Sequence, residues 1–101
     1  MKVVVSERAK QNRNRIARYI LREFGEVTLQ EFRKEYKDTK RFLENHPEGG
    51  QEELNLSNDE RTYHYTIING LTKLVYRIEG EVVFIVDMWD TRREPPVVLT
   101  L

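Results

Sequence analysis

The side chains with chemistry to offer are basic and aromatic, and most lie in the C-terminal half. Arg92 and Arg93 stand side by side one residue after "VVFIVDMWD", the most hydrophobic run of the chain. Arg61 precedes another strand-like run and His64 lies within it. Lys73 and Arg77 share parity on a third run, opposite to Leu74, Tyr76 and Ile78. Such groups at neighbouring strand ends can converge on one patch. A patch of Arg, Lys and His can contact RNA phosphates or stabilise the charge of a phosphoryl transition state. The plainer alternative makes them solvated charges on an exposed sheet face, paired with Glu79, Glu81 and Asp87. Trp89 then reads as a core or edge-packing residue, and Tyr76 as core.

Other chemistries find little footing. His46 and His64 are the only histidines, and neither has the spacing to carboxylates or thiols of a metal-ligand set. No metal or cofactor site is expected. Gly49-Gly50 precedes no helix, so there is no phosphate-cradling loop. Ser6 and Ser57 read as a cap and a loop residue rather than as nucleophiles.

At 101 residues the chain reads as one domain over 1–101. A chain this long buries roughly two thirds of its unfolded surface, enough for a core without staples. The absence of cysteine fits a reducing compartment. No apolar run approaches the roughly 20 residues of a spanning helix, so a cytoplasmic protein without a targeting segment is expected. Net charge is zero, but it is segregated. Residues 1–25 carry seven basic and two acidic side chains; the other 76 carry ten and fifteen. A neutral chain has no general attraction for nucleic acid, so any site for nucleic acid or an acidic partner must be local.

The elements that must position these residues are legible. Lys2–Val5 is a short β-branched strand. Ser6 is a good N-cap for a helix running to Phe24. At 100° per residue, Ala9, Ile16, Ala17, Ile20, Leu21 and Phe24 share one side. Arg8, Arg15, Arg18 and Arg22 take the other, while Arg13 falls on the apolar side. Gly25 suits the end of that helix. "VTLQEF" then offers Thr28 as N-cap, Glu31 to complete a capping box, and Val27 with Phe32 as a hydrophobic staple. Leu29, Phe32, Tyr36, Thr39 and Leu43 form a narrow stripe, and Pro47 stops the helix. With about three residues between them, the two helices make a hairpin. "PEGGQEELNLSNDE" is an acidic loop. Three strands follow, roughly Tyr63–Asn69, Leu71–Glu79 and Glu81–Asp90, with hairpin turns at Asn69-Gly70 and Glu79-Gly80. The expected fold is α+β, β-α-α-β-β-β, an antiparallel meander with the helical hairpin on one face.

This order resembles the RelE/ParE superfamily of bacterial type II toxins. "VVVSERAKQNRNRIARYILREFG" resembles its first strand and the "I-x-x-Y-I-x-x-x-F-G" rhythm of its first helix. "FLENHPEGG" resembles its "L-x-x-x-P-x-x-G". "TKLVYRIEGEVVFIVDMWDTRREP" resembles its "I-V-Y-R-I" strand, turn, aliphatic strand and "R-R-x-P". The similarity covers nearly the whole chain, and its specificity lies in the combination rather than in any one motif.

In a RelE-like ribosome-dependent mRNA endonuclease, the resemblance makes Arg92 or Arg93 the arginine that supports charge on the phosphate. His64 stands roughly where many members carry a strand arginine, with Arg61 just before it. Departures point elsewhere. The loop before the second strand contains no lysine, Asp90 stands where many relatives have histidine, and net charge is zero. These favour a ParE-like member, which implies inhibition of growth by binding DNA gyrase and a part in plasmid stabilisation. A third alternative is an inactive relative that only pairs with its antitoxin. The resemblance also implies that antitoxin as partner, encoded by the adjacent gene, with a disordered segment that folds over the toxin. Arg15, Arg18, Arg22 and Trp89 are the expected contacts for it. The terminal "PPVVLTL" reads as an edge strand or an extended tail. No cofactor and no membrane are implied.

Overall fold

The structure is a computed structural model, and it describes residues 1–92. The expectations for Arg93 and for the 95–101 tail lie outside the described residues. In chain order the elements are β1 (Lys2–Val5), α1 (Glu7–Phe24), α2 (Glu26–Asn45), β2 (Gln51–Glu52), β3 (His64–Ile68), β4 (Thr72–Glu79) and β5 (Val82–Asp90). They build one sheet in the order β1-β5-β4-β3-β2. The fold is α+β, with the helical hairpin packed on one face.

The meander forms as its turn residues dictate. Asn69 and Gly70 both take positive φ, 53° and 71°, and the Leu71 N–H donates to the Ile68 carbonyl at 3.2 Å, closing a tight turn whose twist matches that of the strands. β3 pairs antiparallel with β4, and β4 with β5. Two features depart from expectation. β1 pairs with β5 in parallel, Lys2 opposite Val82 and Val5 opposite Ile85, so the sheet is mixed. No local turn joins these strands; the helical hairpin returns the chain to the far edge, and β1 docks beside the last strand of the meander. The acidic loop also contributes β2, where Gln51 and Glu52 pair with Tyr65 and His64. Two polar residues suffice there because an edge strand need not bury its side chains.

α1 starts as expected. The Ser6 hydroxyl accepts the Ala9 N–H at 3.0 Å and donates to the Val86 carbonyl at 2.9 Å, so the cap also ties the helix to β5. The start of α2 is a correction. Gly25 alone separates the helices, at φ 90° and ψ −177°, a region open almost only to glycine. Its N–H closes α1 on the Ile20 and Leu21 carbonyls, and its own carbonyl accepts the Leu29 N–H at 3.1 Å. The helix therefore begins at Glu26, before Thr28 can cap it. Thr28 instead directs its hydroxyl toward the Phe24 carbonyl at 3.5 Å. Val27 is 73% exposed, so the staple to the buried Phe32 does not form.

The stripe of α2 is realised. Leu29, Phe32, Tyr36 and Leu43 are buried against Ile68, Leu74, Tyr76, Val83, Ile85 and Met88 of the sheet. Each such side chain stabilises the fold by about 1.5–3 kcal/mol. Arg13, the charge on the apolar side of α1, lies over the Tyr36 ring at 5.7 Å and keeps a cation–π partner. Leu21 and Phe24, on that same side, remain exposed at the hairpin tip.

The opposite face of the sheet holds a smaller core of Tyr63, Val75, Val86 and Trp89. One register irregularity serves both faces. Val75 faces Asp87 while Tyr76 faces Ile85, leaving Val86 as the extra residue of a β-bulge. A bulge re-aims side chains, and here Asp87 meets α1 while Val86 joins the outer core.

Candidate functional site

A groove of about 440 Å³ runs between α1 and the C-terminal end of β5. Arg15, Arg18 and Arg22 line it from α1, since steps of three and four residues place them on one stripe. Ile16, Ile20 and Met88 supply apolar lining, with the more exposed Leu71 and Phe24. Asp90, Arg92 and Asn69 line it from the strand ends. Trp89 also borders it, although its indole is largely packed into the outer core and only 9% exposed.

The groove's charges differ in how far they are engaged. Arg15 donates to the Asn12 side-chain carbonyl at 3.2 Å. Arg22 pairs with Glu23 at 3.1 Å and covers the Tyr19 ring at 5.7 Å. Arg92 is folded back on Asp90: its guanidinium contacts both carboxylate oxygens at 2.7–3.2 Å, and its backbone N–H adds a fourth contact at 2.8 Å. The hydrogen bond to Asp90, and then one to Tyr19, hold the Arg92 guanidinium even more firmly protonated than usual. Its charge is thus already matched by a carboxylate.

The candidate catalytic residues do not meet. Asp90 and Arg92 lie at the end of the sheet where Asp90 faces Thr72 and Thr72 faces Ile68. His64 is four residues back along β3, about 13 Å away along the strand and two strands across. Its ring stacks on Tyr76 at 5.3 Å on the helix side of the sheet. Arg61 does not line the groove either; it is exposed in the loop before β3, where Asn58 holds its backbone.

The basic groups of the sheet face are committed elsewhere. Arg77 pairs with Glu79 at 2.8 Å, as the plainer alternative expects. Lys73 pairs with Glu53 rather than with Glu79, Glu81 or Asp87. Asp87 is held by Arg8 at 3.1 Å and by the Asn12 amide at 2.6 Å. The structure therefore brings together Arg15, Arg18, Arg22, Trp89 and Arg92, and leaves His64 and Arg61 apart. Sequence reasoning missed Tyr19, Asn12 and Leu71 in the groove. Tyr19 was recoverable from the same helical stripe, whereas the approach of Asn12 to Asp87, 75 positions later, leaves no local signal.

A family model described as "ParE toxin of type II toxin-antitoxin system, parDE" matches residues 3–95. The chain belongs to the ParE toxin family. Among solved structures, this ParE-family chain is similar to one from "Chromosomal ParDE TA system from P. aeruginosa", with a TM-score of 0.71. That likeness covers 89% of this chain and 95% of the other at 10% identity, so what it establishes is the shared fold. No curated protein sequence matches. Among the described residues of this ParE-family chain, no helix is long and apolar enough to cross a membrane.

Proposed function

We propose that this ParE-family toxin acts by binding, that DNA gyrase is its target, and that the groove beside α1 is its main contact surface. The observation that carries this reading is the groove itself, three exposed arginines around apolar side chains. Such a surface fits an amphipathic acidic segment, with arginines meeting carboxylates and the apolar lining meeting aliphatic side chains. The same surface suits the antitoxin encoded by the adjacent gene, whose disordered segment would fold onto it in the cytoplasm. The separation of His64 from Arg92 supports binding over chemistry. The arginine that would have to meet a phosphate, Arg92, already holds Asp90, and among the described residues neither histidine stands beside it.

Expression of the chain alone is expected to slow bacterial growth, and co-expression of the adjacent small gene product to relieve it. Purified protein incubated with gyrase and relaxed DNA should block supercoiling and leave mRNA on programmed ribosomes intact. Codon-phased mRNA cuts that vanish when Arg92 and Arg93 become alanine would instead establish a RelE-like nuclease. Vigorous growth with folded protein would leave only antitoxin pairing.

A further inference from the structure

The groove arginines are surface side chains, but one of them is tied to a buried group. Asp87 is fully buried at the β5 bulge. One carboxylate oxygen accepts the Met88 N–H at 2.7 Å and the Asn12 side-chain N–H at 2.6 Å, and the other faces Arg8 at 3.1 Å. A carboxylate of this kind can only accept and a guanidinium can only donate. Asn12 stands between the two and offers one group of each sort. Its NH₂ must therefore face Asp87, which leaves its carbonyl facing outward. That carbonyl accepts Arg15 Nη1 at 3.2 Å. The direction of the chain is forced by chemistry: buried acceptor, amide, exposed donor.

We propose that Asn12, oriented by Asp87, is a positioning residue that holds the Arg15 guanidinium at the groove for an acidic helical partner. The proposal rests on the groove reading above and adds the means by which one of its arginines is preorganised. An arginine on an exposed helix face ordinarily spends much of its binding free energy on losing rotamer freedom. Here a buried carboxylate fixes the amide, and the amide fixes one guanidinium nitrogen. The other guanidinium N–H groups stay available to a carboxylate. Arg18 and Arg22 have no comparable link to a buried group among the hydrogen bonds and ion pairs of the described residues.

The test is a double-mutant cycle read as affinity. The probe is a synthetic amphipathic helix with glutamate on one face and leucine on the other, followed by fluorescence anisotropy. Arg15→Ala should weaken binding clearly. Asn12→Ala should weaken it about fivefold in the wild-type background and add nothing once Arg15 is alanine. Asn12→Ala introduces a strong helix former, so α1 should persist; unfolding midpoints check this. Asp87→Asn supplies a second cycle with an isosteric side chain that no longer dictates which end of Asn12 faces it. Its effect should likewise disappear in the Arg15→Ala background. Losses that are equal in both backgrounds would overturn the proposal, because the residues would then act through the fold. Wild-type affinity in Arg15→Ala would instead overturn the groove reading, and this proposal with it.

Discussion

Two regions of this toxin carry basic side chains beside aromatic rings, and they use them in opposite ways. On the outer face of the sheet, Lys73 lies 4.2 Å from the Tyr65 ring and 5.9 Å from Trp89, paired with the buried Glu53. Arg77 covers Phe84 at 4.8 Å and pairs with Glu79. Their side chains are only 20% and 11% exposed. On α1, by contrast, Arg15, Arg18 and Arg22 stand exposed along the groove. The difference shows that residue type does not decide whether a cation serves the fold or a partner. Burial does, because a desolvated charge must be matched within the molecule while an exposed one can await its match from outside.

The Lys73–Glu53 pair has a further consequence. It fastens the loop between β2 and β3 to the sheet, and the Ser57 hydroxyl, which accepts the Tyr63 N–H at 3.0 Å, closes that loop on itself. Replacing Glu53 with alanine leaves Lys73 largely buried without a carboxylate. This is the largest effect expected: about 3 kcal/mol of lost stability in urea unfolding. A loss below about 1 kcal/mol would break the comparison, because the pair would then behave like a surface bridge.

Charge reversal of Arg15, Arg18 and Arg22 together should act on the other side of the comparison. Each change should alter stability by no more than about 0.5 kcal/mol. Affinity for the antitoxin should fall about tenfold or more at low salt, and the difference should shrink as ionic strength rises. A triple variant that loses stability but keeps affinity would show that these arginines serve the fold.

Arg77→Met sharpens the distinction within the outer face. Arg77 Nη1 is buried and has no hydrogen-bond partner among the described residues. Methionine keeps much of the stem and removes an incompletely matched charge, so the unfolding free energy should change by no more than about 1 kcal/mol in either direction. Smallest of all is Lys34→Ala. Lys34 and Asp38 form a close pair at 2.9 Å on the outside of α2, one turn apart. Their hydrogen bond raises the Lys34 pKa and lowers that of Asp38, yet both groups are solvated. The unfolding midpoint should not move measurably, which would separate the effect of burial from that of pairing.

Much of the fold was legible in local terms. The Ser6 cap, the stripe from Leu29 to Leu43 and the Asn69-Gly70 turn each act through groups a few residues apart, and each formed where expected. The capping box at Thr28 shows where local reasoning stops. Its residues were suitable, but Gly25 closed α1 and opened α2 in one step, so the helix began ahead of the cap. Competition between two valid local signals is settled by which one the packed hairpin accommodates.

For the candidate site, the chain by itself determined the arginine stripe of α1, because helical spacing alone places Arg15, Arg18 and Arg22 together. It also determined that the hydrophobic strand ends near Arg92. Tertiary structure alone decided that these two features share one groove, that β1 lies parallel beside β5, and that His64 stays on a different part of the sheet. It alone decided that Lys73 meets Glu53 and that Asp87 meets Asn12. The physical reason is the range of the interactions. Caps, turns and helical faces are set by neighbours in sequence, whereas strand pairing, bulge geometry and the matching of buried charge depend on atoms tens of residues apart, which come together only when the core closes.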